Sequence, residues 1–422
     1  MSRTADIAII GGGIVGMSCA WELARRGVEK VVVLDKQNPA SGTSGGSAGV
    51  ICPVDLGEIY ALMNLAGYAR IRHLVEDHGL GFSRWGNLHA VYEPNPFPSP
   101  PSEYVTRFGG EAADSIYTSE VLEAAEVLRR WPWIRPQVMR GGVARRLLGA
   151  VWYRNQGFID PYELVSVYER LATATGRVEI HRNTPVLEMR EEGSRVRTLV
   201  TRRGAFEAGQ VLNAAGPWGA KVAGLAGSSI ALTPQRIQVC VATAFDDGVE
   251  EAPLTGVPEL VGGVGVWSRG ELGGTLLFGQ HHHTTRPGSA DDPDHVNRVN
   301  DPGYPASVAR VYRRYWDLPR SHFLNGWCCV YGTTEDGYPI LSGDDRLENL
   351  HHALGMNGHG IVMHATVSMA MAGLILDRSP VTDLGPEVGR WRRLDVSRLD
   401  MGRFDRGDPL SFDLAVEDLE RR

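Results

Sequence analysis

The sequence predicts an α/β chain: a parallel, helix-flanked sheet that opens the chain, and a second α+β domain on a largely antiparallel sheet. Three observations predict it. An apolar strand, a glycine turn, a helix and a second apolar strand fill the first 35 residues. A proline cluster at 95–101 marks a crossing into other structure. Short strand-like segments separated by turns then occupy the middle of the chain. A length of 422 residues fits two domains, or one large domain with an insertion.

The elements follow in order. Residues 6–10 read as a buried parallel strand, 11–16 as a tight turn, 15–27 as a helix and 30–35 as the next strand. The Gly/Ser-rich stretch 38–49 reads as an ordered loop where backbone approaches something closely. Helix is expected at 59–78, strand at 82–92, and a charged helix at 119–130 capped by Thr118 or Ser119. Pro161 in the first turn supports a helix over 160–175. Strands are expected at 177–181, 186–191, 195–202 and 207–213. Further strands at 237–243, 263–267 and 275–280 make the second sheet. Residues 302–315 read as helix, 325–331, 338–341 and 350–354 as short strands, and 359–376 as a long closing helix. The last forty residues are charged and aperiodic, which predicts a partly ordered tail.

Composition excludes several classes. The net charge is −7, and no Lys/Arg block suggests a nucleic-acid or membrane footprint. Apolar stretches such as 7–10, 31–34 and 369–376 are too short to span a bilayer. The N-terminus shows no signal-peptide core, so a cytoplasmic location and a small-molecule substrate are expected. The five cysteines, Cys19, Cys52, Cys240, Cys328 and Cys329, are scattered without a C-x-x-C pair. Neither a disulfide framework nor a metal site is expected.

Gly11-Gly12-Gly13-Ile14-Val15-Gly16 matches G-x-G-x-x-G between a strand and a helix. Gly11 permits the turn, Gly13 lets backbone approach a pyrophosphate, and Gly16 lets the helix pack on the sheet. The helix start offers free N–H groups to phosphates. Asp35 ends the second strand, where a carboxylate accepts hydrogen bonds from an adenosine ribose. This is a Rossmann-type dinucleotide site, and by itself it does not separate NAD from FAD.

Later segments bear on that choice. Asp35-Lys36 precedes the Gly/Ser loop 41–49. Gly157-Phe158-Ile159-Asp160-Pro161, Val211-Leu212-Asn213-Ala214-Ala215-Gly216-Pro217-Trp218, Thr334-Glu335-Asp336-Gly337-Tyr338-Pro339-Ile340 and Gly355-Met356-Asn357-Gly358-His359-Gly360 follow in order. From 6 to about 404 the chain resembles the D-amino-acid-oxidase-like superfamily of flavoproteins, especially its glycine oxidase and sarcosine oxidase branches. The resemblance implies FAD in a glutathione-reductase-like Rossmann domain made of 1–85, 145–230 and 325–405. Residues 86–144 and 231–324 would form the substrate domain, and 406–422 a tail. It implies cofactor contacts from Gly11, Gly13, Ile14, Val15, Gly16, Asp35, Lys36, Ser44, Gly45, Gly46, Ser47, Val186, Ala215, Gly216, Trp218, Cys329, Asn357, Gly358, His359, Gly360 and Ile361. The turn at 355–360 would aim the closing helix's N-terminus at the flavin edge that becomes negative on reduction.

The resemblance also implies candidate chemistry. Cys329 matches the cysteine that monomeric sarcosine oxidase links covalently to its flavin; the alternative is a small buried thiol. Cys328 would face away, and a histidyl link is not expected because Gly46 occupies that loop position. His281 is the candidate substrate-facing histidine, with a solvated turn as the alternative. The run 281–283 cannot readily converge on one metal ion. Tyr331 shares the Cys329 strand face and stands where sarcosine oxidase has a tyrosine. Val362 replaces that enzyme's carboxylate-binding lysine. Arg269 and Arg84 are the remaining candidates for holding a substrate carboxylate. Leu277 replaces the oxygen-activating lysine, which favours a dehydrogenase over an oxidase.

The expected reaction is oxidation of a C–N bond by hydride transfer to flavin N5, giving an imine, with oxygen or another acceptor restoring FAD. His281, Tyr331 and His359 are the candidate catalytic residues. Alternatives are a flavin-dependent 2-hydroxy-acid dehydrogenase, in which a histidine would serve as base, a flavin subunit of a heteromeric dehydrogenase, and a natural-product tailoring oxidase. A homo-oligomer or a partner subunit fits any of these.

Overall fold

The structure is a computed structural model, and it describes residues 3–52, 57–94, 115–244, 252–261, 264–271, 274–280, 292–389 and 392–410. Its first sheet is centred on Arg3–Ile10, which pairs in parallel with Val31–Leu34 on one side and Gly204–Asn213 on the other. Val178–His181 extends it in parallel beyond Val31–Leu34. The hairpin Val186–Glu192/Arg195–Thr201 adds antiparallel strands at the far edge. Leu350–Leu354 runs parallel beside Val211–Asn213 and carries Ile340–Gly343 antiparallel to it. The central strands are apolar runs because helices cover one face and other chain segments the other, leaving both faces buried.

Helices Ile14–Arg25, Glu58–His78, Pro161–Ala174 and Gly360–Ala372 cover one face. Asp160 caps the third, its carboxylate accepting from the amides of Tyr162 (2.7 Å) and Glu163 (3.2 Å). Helices Glu58–His78 and Gly360–Ala372 meet backbone to backbone. A Cβ at Gly67 would lie 1.7 Å from the Val362 carbonyl oxygen.

The second sheet runs Ser321–Thr333, Thr233–Ala244, Thr275–Gln280, Val264–Glu271, Leu254–Val261, Asn87–Tyr92, Val143–Tyr153, Glu120–Glu123. All neighbours are antiparallel except the Leu254–Val261/Asn87–Tyr92 pair. Helix Tyr304–Tyr315 packs on it, with the Tyr312 and Phe278 rings 4.4 Å apart.

Several expectations are corrected. The charged segment expected as a helix over 119–130 begins as an edge strand, Glu120–Glu123, paired with Val143–Tyr153; only Ala124–Arg130 is helical. Pairing with a neighbouring strand overrides local helix propensity there. Val143–Tyr153 itself was not expected, because Arg145, Arg146 and Gly149 break the alternation that marks a strand. The strand expected from Phe82 starts at Asn87. The closing helix stops at Ala372 and widens into a π turn, Gly373–Asp377. Joined, Gly360–Asp377 is long and apolar enough to cross a membrane, contrary to the reading of 369–376 alone, but 78% of it is buried inside the molecule. Among the described residues of the C-terminal segment, Arg403 is buried and is one of the largest fully buried side chains.

Candidate cofactor cleft

A cleft of about 350 Å³ opens at the carboxyl ends of the parallel strands. Gly11 turns the chain at φ 110°, and a Cβ there would lie 2.5 Å from the Ala214 carbonyl oxygen. A Cβ on Gly16 would lie 1.9 Å from the Gly11 oxygen, so Gly16 serves helix packing and does not line the cleft. Gly13 is different. Its φ of −73° suits any residue, and only Ser44 Oγ (3.1 Å) approaches its Cβ position. The space a side chain would take belongs to the cleft, where Gly13, Ile14 and Val15 form the wall.

Helix Ile14–Arg25 has no side-chain cap at Gly13. Ser44 Oγ accepts from the Ile14 amide at 3.0 Å, and the following amides of the first turn have no intrahelical acceptor. Asp35 accepts from the Gly12 amide through Oδ2 and from the Gln37 amide through Oδ1, both at 2.7 Å. That fixes the carboxylate and leaves a further lone pair on each oxygen. These residues fit the adenosine and pyrophosphate of a dinucleotide. Lys36, Val186, Ala215, Gly216 and Trp218 line the same half. Behind it, the Asn213 side chain donates to the Gly219 carbonyl at 2.8 Å and holds the turn.

The other half is formed by Ser44, Ser47, Tyr331, Gly332 and the turn Gly355–Ile361. Asn357 sits at φ 48° and joins that turn to the strand end. Its Oδ1 accepts from the Thr334 amide at 3.0 Å, and its Nδ2 donates to Thr334 Oγ1 at 3.1 Å. Gly358, Gly360 and Ile361 are in the wall, at the start of the uncapped helix Gly360–Ala372. His359 is not in the wall. Its imidazole stands edge-on to Tyr60, with centroids 6.0 Å apart. Burial raises the Tyr331 phenol above its usual range, so it stays protonated.

Loop 41–49 is bolted to the second sheet. Thr43 Oγ1 donates to the Val330 carbonyl (2.5 Å), Trp327 Nε1 to Gly46 (2.9 Å), and Arg269 Nε to Ala48 (2.6 Å). Gly45 packs against Ala40 and Tyr162, and Gly46 against Cys329, where a Cβ would come within 2.6 Å of the cysteine Cβ. Cys329 is 2% exposed and lies behind Gly46 rather than in the wall; burial pushes its thiol up to about 12. Cys328 faces the opposite way, towards Arg236 Nη2 at 3.0 Å and the Val299 carbonyl at 3.1 Å.

On the substrate side, Arg269 is 4% exposed. It bonds to Ala48, Gly270 and Glu271 and lies 3.9 Å over the Phe158 ring. Arg84 is exposed beside Phe82. Leu277 and Val362 are buried. His281 and the 281–283 run lie outside the described residues. Among the described residues, the cations lining the cleft are Lys36 and Lys221, both in its adenosine half. Lys221 and Asp294 were missed in the sequence. Lys221 follows Trp218 by one helical turn and was findable, whereas Asp294 comes from a distant segment.

The chain matches the family described as FAD dependent oxidoreductase (DAO) over residues 6–374. It is 24% identical to glycine oxidase of Geobacillus kaustophilus, over 92% of this chain and 97% of that one. It is also 24% identical to monomeric sarcosine oxidase of an Arthrobacter species, over 89% and 93%. The solved L-proline dehydrogenase of P. horikoshii superposes with a TM-score of 0.77 at 21% identity, covering 97% of this chain and all of that one. The motifs around the cleft and this match over most of the chain agree: the protein belongs to the DAO family of FAD-dependent oxidoreductases.

Proposed function

We propose that the protein oxidises a C–N bond of an amine or amino acid to an imine. The first sheet with its helices would be the cofactor body and the second sheet the substrate body. The substrate class of the relatives carries the choice of bond, and the wall fits it: among the described residues, the titratable group of the half formed by the turn 355–361 is Tyr331, which burial keeps protonated. Oxidising an alcohol requires a base for the hydroxyl proton. An amine reacting as free base already carries the lone pair that drives hydride departure, and needs none. Bound FAD supplies the two-electron acceptor.

The chain's own groups orient and stabilise. Tyr331 would stand in the wall beside the substrate, its buried phenol protonated. The start of helix Gly360–Ala372 presents backbone N–H groups and a partial positive charge to the cofactor. Water then converts the imine carbon to a carbonyl, releasing ammonia or a smaller amine when the C–N bond is acyclic and opening the ring when it is not. The names of the relatives, a glycine oxidase, a sarcosine oxidase and a proline dehydrogenase, support the same substrate class. Buried, aliphatic Leu277 supports an acceptor other than oxygen.

Product analysis tests the reaction. Turnover with a panel of acyclic amines and an artificial electron acceptor is expected to yield a carbonyl compound and released nitrogen in equal amounts. Conversion of 2-hydroxy acids alone, with no nitrogen released, would overturn it.

A further inference from the structure

The chain that forms the second sheet also reaches the adenosine half of the cleft. Asp294 lines that half together with Lys36, Trp218 and Lys221 of the first body. Its Oδ1 accepts from Lys36 Nζ at 2.5 Å and from Trp218 Nε1 at 2.7 Å, and its Oδ2 from Lys221 Nζ at 2.8 Å. Lys221 also bonds Asp292, which pairs in turn with His295 at 3.0 Å. The Lys36 ammonium sits 3.7 Å above the Trp218 ring. Burial works against the Asp294 charge, but the bonds from Lys221, Lys36 and Trp218 outweigh it and hold the carboxyl below its usual range.

The same segment is anchored at its other end. Arg236 on the second sheet donates to the carbonyls of Asn297 (2.8 Å) and Val299 (2.6 Å). Asn300 donates to Val239 at 3.1 Å and accepts from the Gly326 amide at 2.7 Å. Residues 292–301 therefore bridge the second sheet and the cleft. The sheet end is held by the Arg236 guanidinium, 12% exposed, which donates to the segment's carbonyls and also pairs with Asp301 at 3.0 Å. The cleft end is held by ion pairs whose lysine and aspartate partners are all about one-third to one-half exposed. Salt weakens the cleft end most, because its lysines are exposed and ion pairs dominate its contacts, whereas bonds from Arg236 and Asn300 to backbone also hold the sheet end.

We propose that residues 292–301 form an ion-paired strap that closes the adenosine half of the cleft over the cofactor, with Asp294 as its catch. The proposal rests on FAD occupying this cleft and not on the substrate class. The strap must open for FAD to leave, so its ion pairs set the rate of release.

The test uses holoprotein carrying Cys329→Ser, in which no thioether can hold the flavin. FAD release on rapid dilution is read as rising flavin fluorescence. Asp294→Asn, which keeps the shape but loses the charge, is expected to release FAD about tenfold faster at low salt. Added NaCl at about 0.5 M should speed release from the parent and change the variant little. Glu126→Gln, which removes a pair with Arg129 on helix Ala124–Arg130 beside the second sheet, should match the parent. Release within about twofold of the parent, or equal salt acceleration in both, overturns the strap. Protein that purifies without FAD would instead overturn the assignment of the cleft.

Amide hydrogen exchange on the unsubstituted holoprotein gives a second readout, independent of any variant. Salt is expected to raise exchange over 292–298 and leave 233–244 unchanged. No rise over 292–298 overturns the strap.

Discussion

Gly13 and Gly16 are both glycines of one motif, and the structure gives them different jobs. Alanine at Gly16 would push into the Gly11 carbonyl. The expected result is a loss of about 1–3 kcal/mol in unfolding free energy, read from denaturant midpoints. Alanine at Gly13 meets little protein and projects into the cleft. Stability should then change by less than about 0.5 kcal/mol, while FAD affinity falls at least about tenfold in a fluorescence titration. Equal stability losses in the two variants would contradict the division. Such positions were legible because the G-x-G-x-x-G spacing encodes backbone geometry. Asp294 was not, since its partners lie more than seventy positions away in sequence. The Cys329 question is settled by acid precipitation. Cofactor that stays with the pellet in the parent and leaves it in Cys329→Ser establishes a link; cofactor released from the parent excludes one.

At the scale of elements, the closing helix was legible as apolar and long, but its burial hides a titration that sequence does not reveal. His364 is fully buried. Its Nδ1 must carry the proton, because it meets the Ile361 carbonyl at 2.7 Å; Nε2 then accepts from the Tyr168 hydroxyl at 2.7 Å. Burial lowers the imidazole to about 3. Below the ordinary value near 6.5, the unfolded chain takes up a proton that the folded chain refuses until about pH 3. Stability is therefore lost as pH falls from about 6.5, by about 2 kcal/mol at pH 5. His351, lowered to about 4 by burial, adds in the same direction. Asp344, held near 2 despite burial by bonds from His352 and its neighbours, contributes only below about pH 4. Denaturant midpoints at pH 7.5 and 5 should show the loss, and His364→Gln should reduce it. The same helix crosses Glu58–His78 at Gly67, where Gly67→Ala is expected to cost about 1–3 kcal/mol by forcing the backbones apart. The edge strand Glu120–Glu123 and its partner Val143–Tyr153 were illegible for the opposite reason. Their identity comes from pairing, and their own residues carry charge and glycine.

At the scale of the molecule, the C-terminal segment is the larger surprise. Arg403 forks onto Asp336 at 2.7 and 3.0 Å, with both side chains 1% exposed, and also donates to the Tyr338 carbonyl. The Leu410 amide reaches the same carboxylate at 3.1 Å. A charged, aperiodic tail thus closes the turn at 334–338, which holds Asn357 and through it the ring half of the cleft. Arg403→Met leaves a buried carboxylate without its cation and is expected to cost about 3–5 kcal/mol, visible as a lower Tm and weaker flavin retention. The cofactor half of the cleft was legible because its turns recur as motifs along the chain. The substrate half was not, because it depends on which side chains of the second sheet face the ring. The most direct test of the central claim is anaerobic mixing of the holoprotein with panels of amines, amino acids and 2-hydroxy acids while the flavin absorbance is followed. Bleaching by a member of the amine or amino-acid panels is predicted; bleaching by 2-hydroxy acids alone would contradict the account.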